Sequence, residues 1–151
     1  MKNDERIPSH DFYIKNIAHV LRCQIDQKLA VYNVTEPQVR LLGHIQGGQS
    51  IGHEISRKYL SEAMQISGPS VTSLLNSLEK SALIIRRTGS KDGRTMQIDL
   101  TGKATDVLKG AMGILHDVPD VLLAGFSEEE KSIFLDFLKR VYENVGNNSH
   151  I

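Results

Sequence analysis

The stretch from residue 57 to residue 80 constrains this chain most. Tyr59, Leu60, Ala63 and Met64 predict a short amphipathic helix. Ile66-Ser67-Gly68 breaks it, and Pro69 opens a second helix with Ser67 or Gly68 as its cap. In that second helix Val71, Leu74, Leu75 and Leu78 form an apolar back, spaced at steps of three and four. Its other face is Ser70, Thr72, Ser73, Asn76 and Ser77, all small and all able to hydrogen-bond. A rod with an apolar rear and such a front is anchored on one side and open on the other. Two of them joined by a tight turn predict a helix-turn-helix. Two β-rich runs follow, residues 83–88 and residues 95–100, with Met96, Ile98 and Leu100 alternating onto one face. The intervening Gly89-Ser90-Lys91-Asp92-Gly93-Arg94 is a basic turn, so the hairpin reads as a wing.

The rest of the chain is helical in pattern. Ile14, Ile17, Leu21, Ile25 and Leu29 stripe a helix over residues 11–32, and Phe12, His19, Cys23 and Ala30 lie on its other sides. A helix apolar on two sides packs against two bodies, its own core and a second subunit. Thr35-Glu36-Pro37-Gln38 has the grammar of a capping box. Val39, Leu41, Leu42 and Ile45 then face inward until Gly47-Gly48, where the helix is expected to end in a polar link over residues 46–53. A long helix starts at Thr101-Gly102 and weakens at Pro119. Ser127 and Glu130 make a second capping box, ahead of Ile133, Phe134, Phe137, Leu138 and Val141. The fold class is mainly α with a small β-hairpin wing: a winged helix-turn-helix flanked by N- and C-terminal dimerisation helices. The expected organisation is an N-terminal arm and dimerisation helix over 1–34, the winged helix over 35–100, C-terminal dimerisation helices over 101–146 and a polar tail over 147–151.

Composition narrows the function. At 151 residues, 40% hydrophobic and 24% charged, the chain is long enough to bury a core. No apolar run is long enough to span a bilayer, and the polar start Met1-Lys2-Asn3-Asp4-Glu5-Arg6 lacks a signal core, so a cytoplasmic protein is expected. A lone cysteine excludes an internal disulfide framework. Six scattered histidines and the lack of phosphate-loop, dinucleotide or nucleophile-elbow signatures point away from an enzyme, a metal and a cofactor. Basic and acidic residues balance at 18 each, yet unevenly: residues 54–103 carry eight basic and five acidic groups, and residues 104–151 four and eight. Lys80, Arg86, Arg87, Lys91, Arg94 and Lys103 gather around the hairpin, a local patch suited to a polyanion.

The chemistry of a DNA reader follows from these pieces. The start of the second helix offers free N–H groups and a partial positive charge. Pro69, Ser70, Thr72, Ser73 and Asn76 are the expected DNA contacts there, with Asn76 able to take adenine bidentately. Arg94 is expected near the minor groove and Lys91 on a phosphate, with Asp92 supporting Arg94 through a charge-assisted bond. Each feature taken singly is also an ordinary solvated face; their order is what favours duplex DNA. A twofold pair of such heads suits a pseudo-palindromic site.

Three stretches resemble MarR-family transcriptional regulators: Thr35 to Leu42, Gly68 to Lys80, and Lys91 to Thr95 continued by Leu100 to Lys103. The resemblance covers roughly residues 12–145. Gly68-Pro69-Ser70-Val71-Thr72 and Asp26-Gln27-Lys28-Leu29 are most similar to its MepR-like, multidrug-responsive branch. It implies a homodimeric repressor with an efflux gene as its expected target and a pocket between the dimer region and each winged helix for a lipophilic, cationic inducer. Phe12, Tyr13, His44, Met112 and Leu115 are candidate pocket residues. Ser73, Ser77 and Gly93 depart from the family, which often carries arginine there, so fewer phosphate contacts and a weaker salt dependence are expected. Two other readings remain: a winged helix that binds protein, and a redox-sensing regulator acting through Cys23.

Overall fold

The computed structural model describes residues 8–88 and 96–147, and its chain divides into two units, residues 1–116 and residues 117–151. In the first unit α1 spans His10–Leu29 and tightens into a single 3-10 turn, Ala30–Tyr32, before Asn33 turns into the left-handed region at φ 53°. Then come α2 (Glu36–Ser50), α3 (Arg57–Met64), α4 (Gly68–Lys80), the strands β1 (Ile84–Thr88) and β2 (Met96–Leu100), and α5 (Gly102–His116).

The core is built from the residues that the periodicity marks. Leu29, Leu41, Leu42, Ile45, Leu60, Leu75, Leu78 and Leu83 are fully buried and form one cluster with Val71, Ile98, Ala104, Leu108 and Ala111. The strands pair antiparallel, with Ile84 opposite Leu100 and Arg86 opposite Ile98. Directly opposed residues share a face, so Ile84, Arg86, Ile98 and Leu100 all lie on the side packed towards the helices. Thr101 closes the base of the hairpin, its hydroxyl donating to the Ala82 carbonyl at 2.9 Å while accepting from the Ala104 N–H.

Helix starts follow their sequence signals. At α2 the Thr35 N–H donates to Gln38 Oε1 at 2.8 Å within a capping box. At α4 Ser67 is the cap and accepts from the Ser70 N–H. Two turns differ from the sequence reading. Gly47-Gly48 does not end α2, which runs on to Ser50. Gly48 is buried against Ile55 and Tyr59, and a Cβ there would lie 2.6 Å from Ile55 Cδ1, so this glycine serves close packing. The chain leaves the helix at Gly52, φ +71°, with the His53 N–H returning to the Gly48 carbonyl at 2.8 Å. Between α3 and α4 the left-handed residue is Gln65, φ 54°, while Gly68 already belongs to α4.

The stripe of α1 divides. Its C-terminal end enters the core through Leu29 and half-buried Ile25, and Tyr32 lies over Gly110 of α5, whose missing side chain makes room for the ring. Its N-terminal end leaves Phe12, Tyr13, Ile14, Ile17 and Val20 exposed.

In the second unit a short α6 (Val118–Leu122) carries Pro119 in its first turn, and α7 spans Glu128–Asn147. The Ser127–Glu130 capping box forms as expected: the Ser127 N–H donates to Glu130 Oε2 at 2.8 Å, and the Glu130 N–H donates to Ser127 Oγ at 3.2 Å. Ile133, Phe137, Leu138, Val141 and Val145 of α7 are exposed.

Leu75 sits at the centre of the α4 anchor with 1% exposure. Leu75→Ala is expected to lower unfolding free energy by about 2–5 kcal/mol through lost burial and a cavity, measured by urea unfolding.

Candidate nucleic-acid interface

The geometry of α4 sets the interface. With Val71, Leu75 and Leu78 buried, helical spacing turns Pro69, Ser70, Ser73 and Asn76 outward, and all four are exposed. Pro69 has no N–H, the Ser70 N–H donates to Ser67 Oγ and the Val71 N–H to the Ser67 carbonyl, so the Gly68 N–H is the donor that the first turn leaves, at the positive end of the helix dipole. The Ser70 hydroxyl is 2.8 Å from that of Ser67, which holds it at the helix entrance.

Thr72 is placed differently from its expected role. It is half-buried, and its hydroxyl donates to the Gly68 carbonyl at 3.1 Å and accepts from Arg57 Nη1 at 3.4 Å. Its polar capacity is directed into the protein. Arg57, the first residue of α3, is thereby drawn across to the first turns of α4 and adds a guanidinium there. Ser77, on the expected front, instead accepts from Gln38 Nε2 at 2.8 Å. Gln38 thus closes the α2 cap with one end of its amide and fastens α4 with the other.

Asn76 is exposed, but its Oδ1 accepts from Arg86 Nη2 at 2.8 Å. The same guanidinium is ion-paired to Glu79, with Arg86 Nε donating to Glu79 Oε2 at 3.0 Å. Arg87, on the outer face of the hairpin, pairs with Asp99 at 3.2 Å, and Lys103 Nζ donates to the Ser81 carbonyl at 2.9 Å near the end of α4. The patch of positive charge is therefore partly neutralised: two of its arginines face carboxylates. Lys91, Asp92, Gly93 and Arg94 lie outside the described residues.

Arg57 and Glu79 are members of this surface that the sequence reading missed, while it places Arg86 only in the basic patch and Gln38 only in the α2 capping box. The alternation of β1 carried one signal, since Arg86 shares the face of buried Ile84. Nothing in the spacing marks Arg57 or Gln38 as a contact of α4.

The candidate pocket residues sit on three helices that pack together: Phe12 and Tyr13 on α1, His44 on α2, and Met112 and Leu115 on α5. Phe12 and Tyr13 meet edge to face with ring centres 5.6 Å apart. These two and Met112 stand about half exposed, whereas His44 and Leu115 are half-buried. Cys23 is exposed on α1, with its Sγ 3.8 Å from His19 Nε2 one turn earlier. Among the described residues no three His, Cys, Asp or Glu side chains cluster to hold a metal, and no helix is long and apolar enough to cross a membrane.

A family model described as MarR family matches residues 32–95, which run from the turn before α2 through β1 and stop short of β2. The whole fold is similar to that of MepR from Staphylococcus aureus. Its DNA complex matches at a TM-score of 0.79 and 26% identity, covering 91% of this chain and 96% of that one. Residues 32–95 match the MarR family, and the fold is the winged-helix fold of MepR. Two further MepR structures frame the comparison. One, described as a transcription regulator of the multidrug efflux pump MepA, matches at a TM-score of 0.65 and 25% identity over 91% of this chain and 98% of that one. The other, bound to ethidium bromide, matches at 0.57 and 26% over 91% and 96%. In this chain the helix-turn-helix is α3–α4 and the wing is β1–β2.

The Arg86 contact holds the Glu79 carboxyl below its usual range, chiefly through the side-chain hydrogen bond. A depressed carboxylate contributes its contact above the ordinary glutamate range and loses it as pH falls through the folded value. The Arg86 Nε–H resonance is therefore expected to shift in an acid transition whose midpoint lies below that of an unpaired glutamate, and Glu79→Gln is expected to abolish the transition.

Proposed function

We propose that this chain is a homodimeric, ligand-responsive MarR-family repressor that binds a pseudo-palindromic operator through α4 and the wing. The observation that carries the reading is the construction of α4. Its leucine-rich rear is buried, its polar front of Pro69, Ser70, Ser73 and Asn76 is exposed, and a hairpin follows directly. The likeness to the MepR–DNA complex supports placing that front in a major groove. Thr72 acts there through Arg57, whose guanidinium stands beside the helix start as a phosphate contact. Lys91 and Arg94, with Asp92 in support, are the proposed wing contacts.

The apolar residues left open on α1 and α7 support a second copy as partner. Phe12, Ile14, Ile17, Ile133, Phe137 and Val141 are too many large apolar groups for one chain to leave in water without cost. A small, lipophilic and cationic inducer is proposed at Phe12, Tyr13, His44, Met112 and Leu115, with an efflux gene as target. MepR regulates an efflux pump and binds ethidium, which supports that choice. Such an inducer relieves repression only by binding a DNA-incompetent state better than the competent one. The protein works by binding rather than catalysis, in the cytoplasm where its DNA is.

The decisive experiment is a mobility-shift titration on the DNA upstream of its own gene, with and without ethidium. Retardation that ethidium reverses is the expected result. A chain that retards no duplex even at low salt does not have this function. Arg57→Ala is expected to weaken binding about evenly across sequences and to reduce the salt slope by about one. Arg94→Ala is expected to cost about 1–3 kcal/mol of operator binding with the fold intact, as read by titration alongside circular dichroism.

A further inference from the structure

Arg86 stands on the face of β1 that meets α4, its stem opposite Ile98 and its guanidinium against Asn76 and Glu79. A guanidinium has donors and no acceptor, so the amide oxygen of Asn76 must face it and the amide nitrogen must turn away. We propose that Arg86 is a positioning residue that makes Asn76 a hydrogen-bond donor, so that α4 reads guanine rather than adenine at the base pair beneath Asn76. The inference rests on the DNA-binding function proposed above and deepens it.

Adenine presents an acceptor at N7 and a donor at N6 in the major groove, and a free asparagine matches both. That match needs the amide oxygen. In this chain Arg86 occupies one lone pair of that oxygen and turns it towards β1, so the adenine N6 amino group must compete with a guanidinium for it, while Nδ2 is the side of the amide left to face a base. Guanine presents N7 and O6, both acceptors, to the same Nδ2. Glu79 makes the arrangement persistent. It lies three residues after Asn76, on the same side of α4, and receives the Arg86 backbone N–H at one carboxylate oxygen and the Arg86 side chain at the other. The arginine is thus held from both ends of its length, and reaching for a phosphate would strip Glu79 of its partner. The cation serves selectivity here, at the expense of general affinity for DNA.

The test is selection of bound duplexes from a randomised library by the full chain and by Asn76→Ala, Arg86→Ala and Glu79→Gln. Asn76→Ala locates the base pair as the one whose preference it erases. The wild type is expected to favour guanine over adenine there by about tenfold, the effect of one well-placed hydrogen bond against one unmet donor. Arg86→Ala is expected to move that position towards adenine and to leave the others unchanged, with Glu79→Gln shifting it the same way by less. An adenine preference in the wild type that Arg86→Ala does not alter overturns the inference and leaves the DNA-binding reading standing. So does an even loss across all positions, which would assign Arg86 to phosphate or to the fold, and so does an Asn76→Ala profile identical to wild type. A wild type that enriches no sequence defeats the DNA-binding reading itself. Should Arg86→Ala not fold, Arg86→Met carries the same comparison, because it keeps an apolar stem against Ile98 and has no donor for Asn76.

Discussion

The burial of Val71, Leu75 and Leu78 is the constraint on which the interface depends. A 13-residue helix is marginal on its own in water, so α4 exists because its rear is packed. That packing also sets its rotation, and the rotation decides which side chains reach outward. Polar ties hold the setting at both ends. Ser67 caps the entrance, and Gln38 of α2 grips Ser77 in the last turns. A helix with the same apolar rear but no such ties would keep its place while its front wandered. Reading base edges demands tolerances tighter than apolar packing alone supplies.

Charge is used sparingly around that front. The chain is neutral overall, and Arg86 and Arg87 each face a carboxylate. Exposed pairs of this sort add little to stability, commonly well under 1 kcal/mol. Their stronger effect is on the field: each carboxylate lowers the attraction for a polyanion and with it the number of counterions released. A surface built this way has less positive charge to offer a polyanion.

Much of the fold was legible because it rests on local rules. Steps of three and four located every long helix, period two located the strands, and both capping boxes formed where Thr35 and Ser127 announced them. The misread positions share a cause. Gly48 looks like a stop, yet it is a close-approach site, and only the arrival of Ile55 and Tyr59 reveals this. The left-handed turn residue is Gln65 although Gly68 lies nearby, because the α3 exit comes before that glycine. Thr72 and Asn76 have the right chemistry and the right face for the front. Their partners, Arg57 and Arg86, come from other elements, and pairings across elements leave no period in a sequence. The same holds for the candidate pocket. Which apolar groups line a hollow and which simply face outward is decided by three helices at once.

The first helix shows how one element serves two surroundings. Its last turns are bound to the winged helix: Leu29 is buried, Tyr32 covers Gly110, and Asp26 Oδ1 accepts from the Glu36 N–H at the start of α2. Its first turns present Phe12, Tyr13, Ile14 and Ile17 to the outside. Whatever covers those residues therefore acts on a rigid rod whose far end is fastened to the α2 capping box, and Gln38 of that box is fastened to α4. Contiguity of this kind is a mechanical link, and a link becomes allostery only when it has two settings with different affinities. The polar contacts along it are few, and Asn33, φ 53°, is the left-handed residue on its path. The free-energy gap between two settings therefore has to come from the apolar end, where burying or exposing a few aromatic and aliphatic groups changes far more than one hydrogen bond does. Covering or exposing Phe12 and Tyr13 is the kind of event large enough to act along that link.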